Sequence, residues 1–286
     1  MTNKTKKTGS AEQFEANWKT RKESFYNHWT PATPSNQIQF AFRQHWDVFS
    51  SIIGKDKKGK CLEVGCGRGS ISSYFADAGW DTTLLDWSPA ALEIAKKIFK
   101  TNRHQGFFVA GDTNYLPFKN EQFDVVVSIG LLEHFDNVCH PVQEHWRVLK
   151  PGGWFLGYIV PEKTDNVQRY FNWINVILKF IADVISKQRK KTVAKEQIFR
   201  NDYTSETYLN CLKAYDPEKI FVSGIYSVPM ISHSPEFPFS LLPDTIEKIL
   251  VKIFKIVVWM RTLSTGKHGW LCSEKMGQAF LIAAKK

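Results

Sequence analysis

The chain has 286 residues, 43% of them hydrophobic and 23% charged, with a formal net charge of +10. That length and balance suit a globular protein with a sizeable core, and argue against a disordered or fibrous chain. Lysines 248, 252 and 255 interrupt the most apolar region, so no transmembrane span is expected. The polar, basic opening residues give no expectation of a secretory leader. Five cysteines with no C-x-x-C spacing and no paired framework fit a reducing cytosol, so a cytoplasmic location is expected.

Residues 1–12 are expected to be disordered. Aromatic residues then recur at helix-compatible positions: Phe14, Trp18, Phe25, Tyr26 and Trp29. Pro31 and Pro34 break that run, and Ile38, Phe42, Trp46, Phe49 and Ile53 mark a second helix over 37–53.

The run Cys61-Leu62-Glu63-Val64-Gly65-Cys66-Gly67-Arg68-Gly69-Ser70 reads as a strand, a glycine turn and a helix start. Such a turn lets a ligand touch backbone, and the helix beyond it presents free N–H groups. The glycines fall at 65, 67 and 69, one residue short of a dinucleotide fingerprint. Glu63 in the strand end disfavours a pyrophosphate and suits a ligand that carries an ammonium group. Asp86 ends a second strand, 21 residues after Gly65, where a carboxylate can accept from ribose hydroxyls.

Ser88-Pro89 starts a helix to about Lys100, and 106–110 is a third strand. The valine-rich run from Phe123 to Ile129 reads as a parallel strand buried on both faces. Ligands sit beyond the carboxyl ends of such strands, which places Gly130, Leu131 and His134 at the site. A helix over 142–149, a turn at Pro151-Gly152-Gly153 and a fifth strand over 154–160 follow. The sheet pattern stops from Glu162 to Lys219, a length that calls for structured, helical chain. A sixth strand over 220–228, an amphipathic helix over 244–263 and a last strand over 277–284 complete the pattern.

The segment Glu63 to Gly69 resembles the first motif of the class I S-adenosylmethionine-dependent methyltransferases. The resemblance continues at Leu85-Asp86-Trp87-Ser88, Gly111-Asp112-Thr113, Phe123 to His134 and Val148 to Trp154, and covers roughly residues 58–160. It implies a doubly wound, seven-stranded, mostly parallel α/β sheet. The divisions expected are a tail and helical lid over 1–57, a cofactor-binding core over 58–160, a helical cap insertion over 161–219, and a completing unit over 220–286.

The resemblance also implies residue roles. Glu63 engages the methionine amino end, Gly65, Cys66 and Gly67 give backbone approach, and Asp86 takes the ribose. Asp112 and Thr113 meet the adenine, with Trp87 stacking on it, and Gly130 and Leu131 complete the cofactor site. Tyr26 and Trp29 resemble the aromatic segment that covers the methyl donor, where a ring face attracts the sulfonium by about 1 kcal/mol. The competing reading makes these aromatics core residues. His134 is the candidate general base, with Tyr26 beside it, and the competing reading gives His134 only a hydrogen-bonding role.

The expected reaction is in-line methyl transfer to a small-molecule acceptor that is aromatic, apolar or cationic. The acceptor atom and the oligomeric state are not legible. Nucleic acid is disfavoured, because Gly130 to His134 stands where base methyltransferases carry an Asn/Asp-Pro-Pro-aromatic motif. No metal site is expected, since His134, His140 and His145 have the wrong spacing for one helix face. Three alternatives stay open: a lipid or quinone methyltransferase at a membrane surface, a silent cofactor-binding regulator, and aminopropyl transfer from the same cofactor.

Overall fold

A computed structural model describes residues 10–20, 27–185, 198–232 and 242–286. Its centre is one eight-stranded sheet, in the order β3-β2-β1-β4-β5-β8-β6-β7. The strands are β1 (Lys60–Val64), β2 (Asp81–Asp86), β3 (Phe107–Ala110), β4 (Phe123–Ile129), β5 (Leu149–Ile159), β6 (Lys219–Ile225), β7 (Leu271–Cys272) and β8 (Ala279–Lys285). The first five run parallel, and β8 inserts antiparallel between β5 and β6. This is the doubly wound arrangement expected, with one strand more. The extra strand is β7, which pairs with β6 at only two positions.

Alternation builds two cores, one on each face of the sheet. Val125 and Val127 of β4 and Leu281 of β8 face the cluster that holds Phe49, Tyr74 and Trp270. Val126 and Ile282 face the cluster that holds Trp146, Tyr208 and Leu212. Both faces are covered, which is why β4 reads as a continuous apolar run. The helices are α1 (Ser10–Thr20), α2 (Gln37–Ile53), α3 (Ser70–Asp77), α4 (Pro89–Thr101), α5 (Cys139–Val148), α6 (Asn172–Ile185), α7 (Ser205–Leu212) and α8 (Asp244–Thr265). Ser88 caps α4, accepting from Ala91 N at 3.1 Å, with Pro89 in the first turn.

Three expectations need correction. Residues 10–12 are helical, within α1, and residues 27–29 are not, so the helical pattern does not run on to Trp29. β5 takes in Pro151–Gly153, and its pairing with β4 shifts between Phe123 and Val125 to absorb them. The cysteines do include a pair: Cys139 on α5 and Cys211 on α7 form a disulfide with Cα atoms 4.9 Å apart. Their separation of 72 residues carries no local motif, and only the packing of α7 beside α5 brings them together. The basic run Lys187 to Lys191 lies outside the described residues.

Candidate active site

The site begins where β1 ends. Gly65, Gly67 and Gly69 all have positive φ, at 69°, 53° and 69°, a conformation that other residues adopt only at a cost. A Cβ on Gly65 would lie 2.8 Å from the Leu131 side chain, so Leu131 at the end of β4 seats directly on the bend. Gly65 N and Cys66 N both donate to Leu85 O, at 2.8 and 2.9 Å, and tie the bend to β2. The Cys66 side chain packs in the small core with Leu92 and Phe99, with its thiol 3.8 Å from Gly67 O.

Asp86 closes the other wall. Its Oδ2 accepts from Gly67 N at 2.7 Å and its Oδ1 from Ser88 N at 2.8 Å. Burial raises its pKa, against the lowering effect of the two amides. Trp87 beside it is 46% exposed, free to stack on a flat ligand. Asp112 closes a local turn by accepting from Asn114 N at 2.8 Å, and Thr113 is buried.

Glu63 is also buried, and its Oε2 accepts from Ser72 N at 3.0 Å and Ser72 Oγ at 2.5 Å. It thereby caps the first turn of α3. Burial pushes its pKa up to about 8, with the Asp86 carboxylate adding to the rise.

Beyond β4, Gly130 turns at φ 67° and donates to Tyr158 O at 2.9 Å. His134 Nδ1 lies 2.6 Å from Phe199 O. A carbonyl only accepts, so Nδ1 carries the proton and Nε2 is the basic nitrogen of the neutral ring. Burial lowers this histidine to about 4, with the Arg200 charge adding to the fall. It is neutral at physiological pH and weakly basic.

The neighbouring Glu133 was not singled out from sequence. Both its carboxyl oxygens are buried, with His134 Nε2 3.9 Å from Oε1 and the backbone of Glu133 and Val160 nearby. Burial raises its pKa to about 7, against the lowering effect of its own backbone amide and of the Arg200 charge. No local motif could have shown this, because its burial arises from the packing around β4 and β5.

The cover over the bend is α1. A Cβ on Gly67 would lie 3.0 Å from Cζ2 of Trp18, and the Arg68 guanidinium is 5.6 Å from the Trp18 ring centroid. Phe14 meets the His134 ring edge-on with centroids 4.9 Å apart, and Glu15 accepts from Ser88 Oγ. Three consecutive contacts on one helical face thus span the ends of β1, β2 and β4. The spacing of Phe14 and Trp18 was the available signal. Tyr26 lies outside the described residues. Trp29 is buried edge-on to His104, with centroids 4.5 Å apart, and belongs to the core cluster.

Among the described residues no cluster of His, Cys, Asp and Glu could hold a metal. His140 and His145 each bond a backbone carbonyl, of Asn114 at 2.9 Å and of Pro141 at 2.6 Å.

Residues 62–157 match the family model described as a methyltransferase domain. That match supports, over residues 62–157, the resemblance to the class I S-adenosylmethionine-dependent methyltransferases. Over 101 residues it is 43% identical to demethylmenaquinone methyltransferase of Leptospira interrogans, a match that covers 33% of this chain and 40% of that one. Over 118 residues it is 31% identical to malonyl-[acyl-carrier protein] O-methyltransferase of Enterobacter lignolyticus, covering 41% of this chain and 44% of that one. The chain therefore spans less than half the length of these curated relatives. A solved S-adenosylmethionine-dependent methyltransferase of Thermotoga maritima shares the fold, with a TM-score of 0.54 and 16% identity over 96% of this chain and 99% of that one.

The residues fit S-adenosylmethionine as cofactor. The glycine bend has no side chain of its own at Gly67, where the Trp18 indole rests, and Asp86 stands beside it with both oxygens held by amides. Among the described residues no helix is long and apolar enough to cross a membrane.

Proposed function

We propose that this chain transfers a methyl group from S-adenosylmethionine to a small-molecule acceptor. One observation carries the reading: Asp86 is fastened to Gly67 N, which sets a carboxylate against the glycine bend. When bound, the cofactor supplies an activated methyl group on a sulfonium. Asp86 accepts from the ribose hydroxyls, and Trp87, Asp112 and Thr113 flank the adenine. Gly65, Cys66 and Gly67 offer backbone. Gly130 and Leu131 line the end nearest β4. Glu63 holds the first turn of α3 through Ser72 and presents its second oxygen to the methionine ammonium. An ammonium beside Glu63 would favour its ionised form and lower its pKa from the raised value.

His134 is kept neutral, with Nε2 able to accept a hydrogen bond from an acceptor group. Its weak basicity favours alignment over proton abstraction as its contribution. We infer an aromatic or apolar acceptor. The support is the demethylmenaquinone methyltransferase relative and the aromatic side chains Phe14 and Trp18 around the bend.

Incubation with methyl-labelled S-adenosylmethionine and fractionated metabolites, followed by mass identification, tests the reading. A labelled small molecule and stoichiometric S-adenosylhomocysteine are expected. Tight cofactor binding with no labelled product from any fraction would favour a regulator, and methylthioadenosine would indicate aminopropyl transfer.

A further inference from the structure

Helix α8 is apolar on two opposite faces. Its inner face buries Glu247, Val251, Phe254 and Val258. Its outer face carries Ile246, Ile249, Ile253, Ile256, Met260 and Leu263, at alternating three- and four-residue steps and between 45% and 66% exposed. At about 100° per residue the two stripes lie on roughly opposite sides of the helix. A surface helix needs only the inner one to hold it on the fold. Along one flank of the outer stripe run Lys248, Lys252, Lys255 and Trp259, all exposed. No Asp or Glu occurs from Lys248 to Thr265.

Helix α6 repeats the theme. It turns Trp173, Phe180 and Val184 outward, at 62%, 68% and 62% exposure, and its one buried residue is Asn175. Asn175 donates to Met230 O and accepts from Ser232 N, while Gln37 joins Ile231 to Glu247 of α8. Both helices are thus fastened to the same short segment. Between α2 and α8 opens a cleft of about 210 Å³ whose lining includes Arg43, Lys255 and Trp259.

We propose that the outer face of α8, with this cleft beside it, docks on an anionic lipid surface. An apolar stripe flanked by lysines and a tryptophan is what lies in a headgroup layer. Lys255, with Arg43, whose guanidinium also donates to Thr30 O at 2.9 Å, gives the cleft the charge that suits a phosphate headgroup. A second copy of the chain suits the face less well. An antiparallel two-fold pairing of α8 sets the lysine flank against itself with no acid to answer it. The proposal goes beyond methyl transfer and is tested without acceptor or turnover.

Co-sedimentation should use the full chain with phosphatidylcholine vesicles, with and without phosphatidylglycerol. Binding to the anionic vesicles alone, weakened at high ionic strength, is expected. Lys252→Gln with Lys255→Gln should weaken it by roughly fivefold per lysine. Ile253→Ser with Ile256→Ser should abolish it. All four side chains are exposed, and unchanged melting and S-adenosylhomocysteine binding would confirm intact folds. No sedimentation with either vesicle, or equal binding to both, overturns the proposal. So does a dimer in analytical ultracentrifugation that the isoleucine variant dissociates and vesicles do not.

Discussion

The indole of Trp18 rests on Gly67, the residue whose N–H holds Asp86. A ligand that uses the bare backbone at Gly67 must share that space with the ring or displace it. Displacement gives up the contact with Arg68, worth about 1 kcal/mol at a partly exposed site. Trp18→Ala should therefore tighten S-adenosylhomocysteine binding by about fivefold in calorimetry. A loss of affinity would mean that Trp18 closes over the ligand rather than competing with it.

Glu63 gives a stability signature with a definite sign. Its folded pKa of about 8 lies above the ordinary carboxylate value of 4.5. Its contribution is thus fully present below about pH 4.5 and is lost as pH rises through about 8. Glu63→Gln keeps an acceptor for Ser72 and removes the titration. Relative to the parent, the variant's melting temperature should rise from pH 5 to about pH 8 and level off above it. A pH-independent difference would contradict the raised pKa.

The buried histidines act in the opposite direction. Burial depresses His45 to about 3 and His145 to about 4, from an ordinary value of 6.5. Stability from them is present above pH 6.5 and is lost as pH falls toward those values. His45 Nδ1 also accepts from the Trp270 indole at 3.0 Å, deep in the core. His45→Gln can keep that bond without titrating, so it should shrink the loss of melting temperature between pH 7 and pH 4.5. An identical acid profile in the variant would show that His45 does not drive it.

The Cys139–Cys211 bond joins residues 72 apart and ties α7 to α5. Closing a loop of that size stabilises by about 2–4 kcal/mol through the unfolded chain. The double Cys139→Ser, Cys211→Ser variant should melt several degrees lower than the oxidised protein. Reductant should lower the parent to match and leave the variant unmoved. A parent indifferent to reductant would argue against the bond in solution.

Much of this site was legible in the sequence because the signals are local. Glycines 65, 67 and 69 are needed by positive φ angles, Asp86 ends a strand, and Ser88-Pro89 caps a helix. Val125 to Val127 betray a strand covered on both sides. What escaped depends on packing between distant segments. The cover was sought at Tyr26, which lies outside the described residues, and at Trp29, which finds its partner in His104, 75 residues on, while α1 spans the bend. The burial of Glu133 and the pairing of Cys139 with Cys211 likewise exist only after β4, β5, α5 and α7 have met. The disulfide leaves the cysteine-based expectation of a reducing compartment without support.

Titration calorimetry with S-adenosylhomocysteine, on the parent and on Asp86→Asn, tests the placement of the cofactor most directly. The parent should bind one equivalent saturably. Asp86→Asn, melting as the parent does, should bind about 10- to 100-fold more weakly, the range for a hydrogen bond to a charged group. No heat with the parent, or equal affinity in the folded variant, would contradict the assignment of the ribose to Asp86.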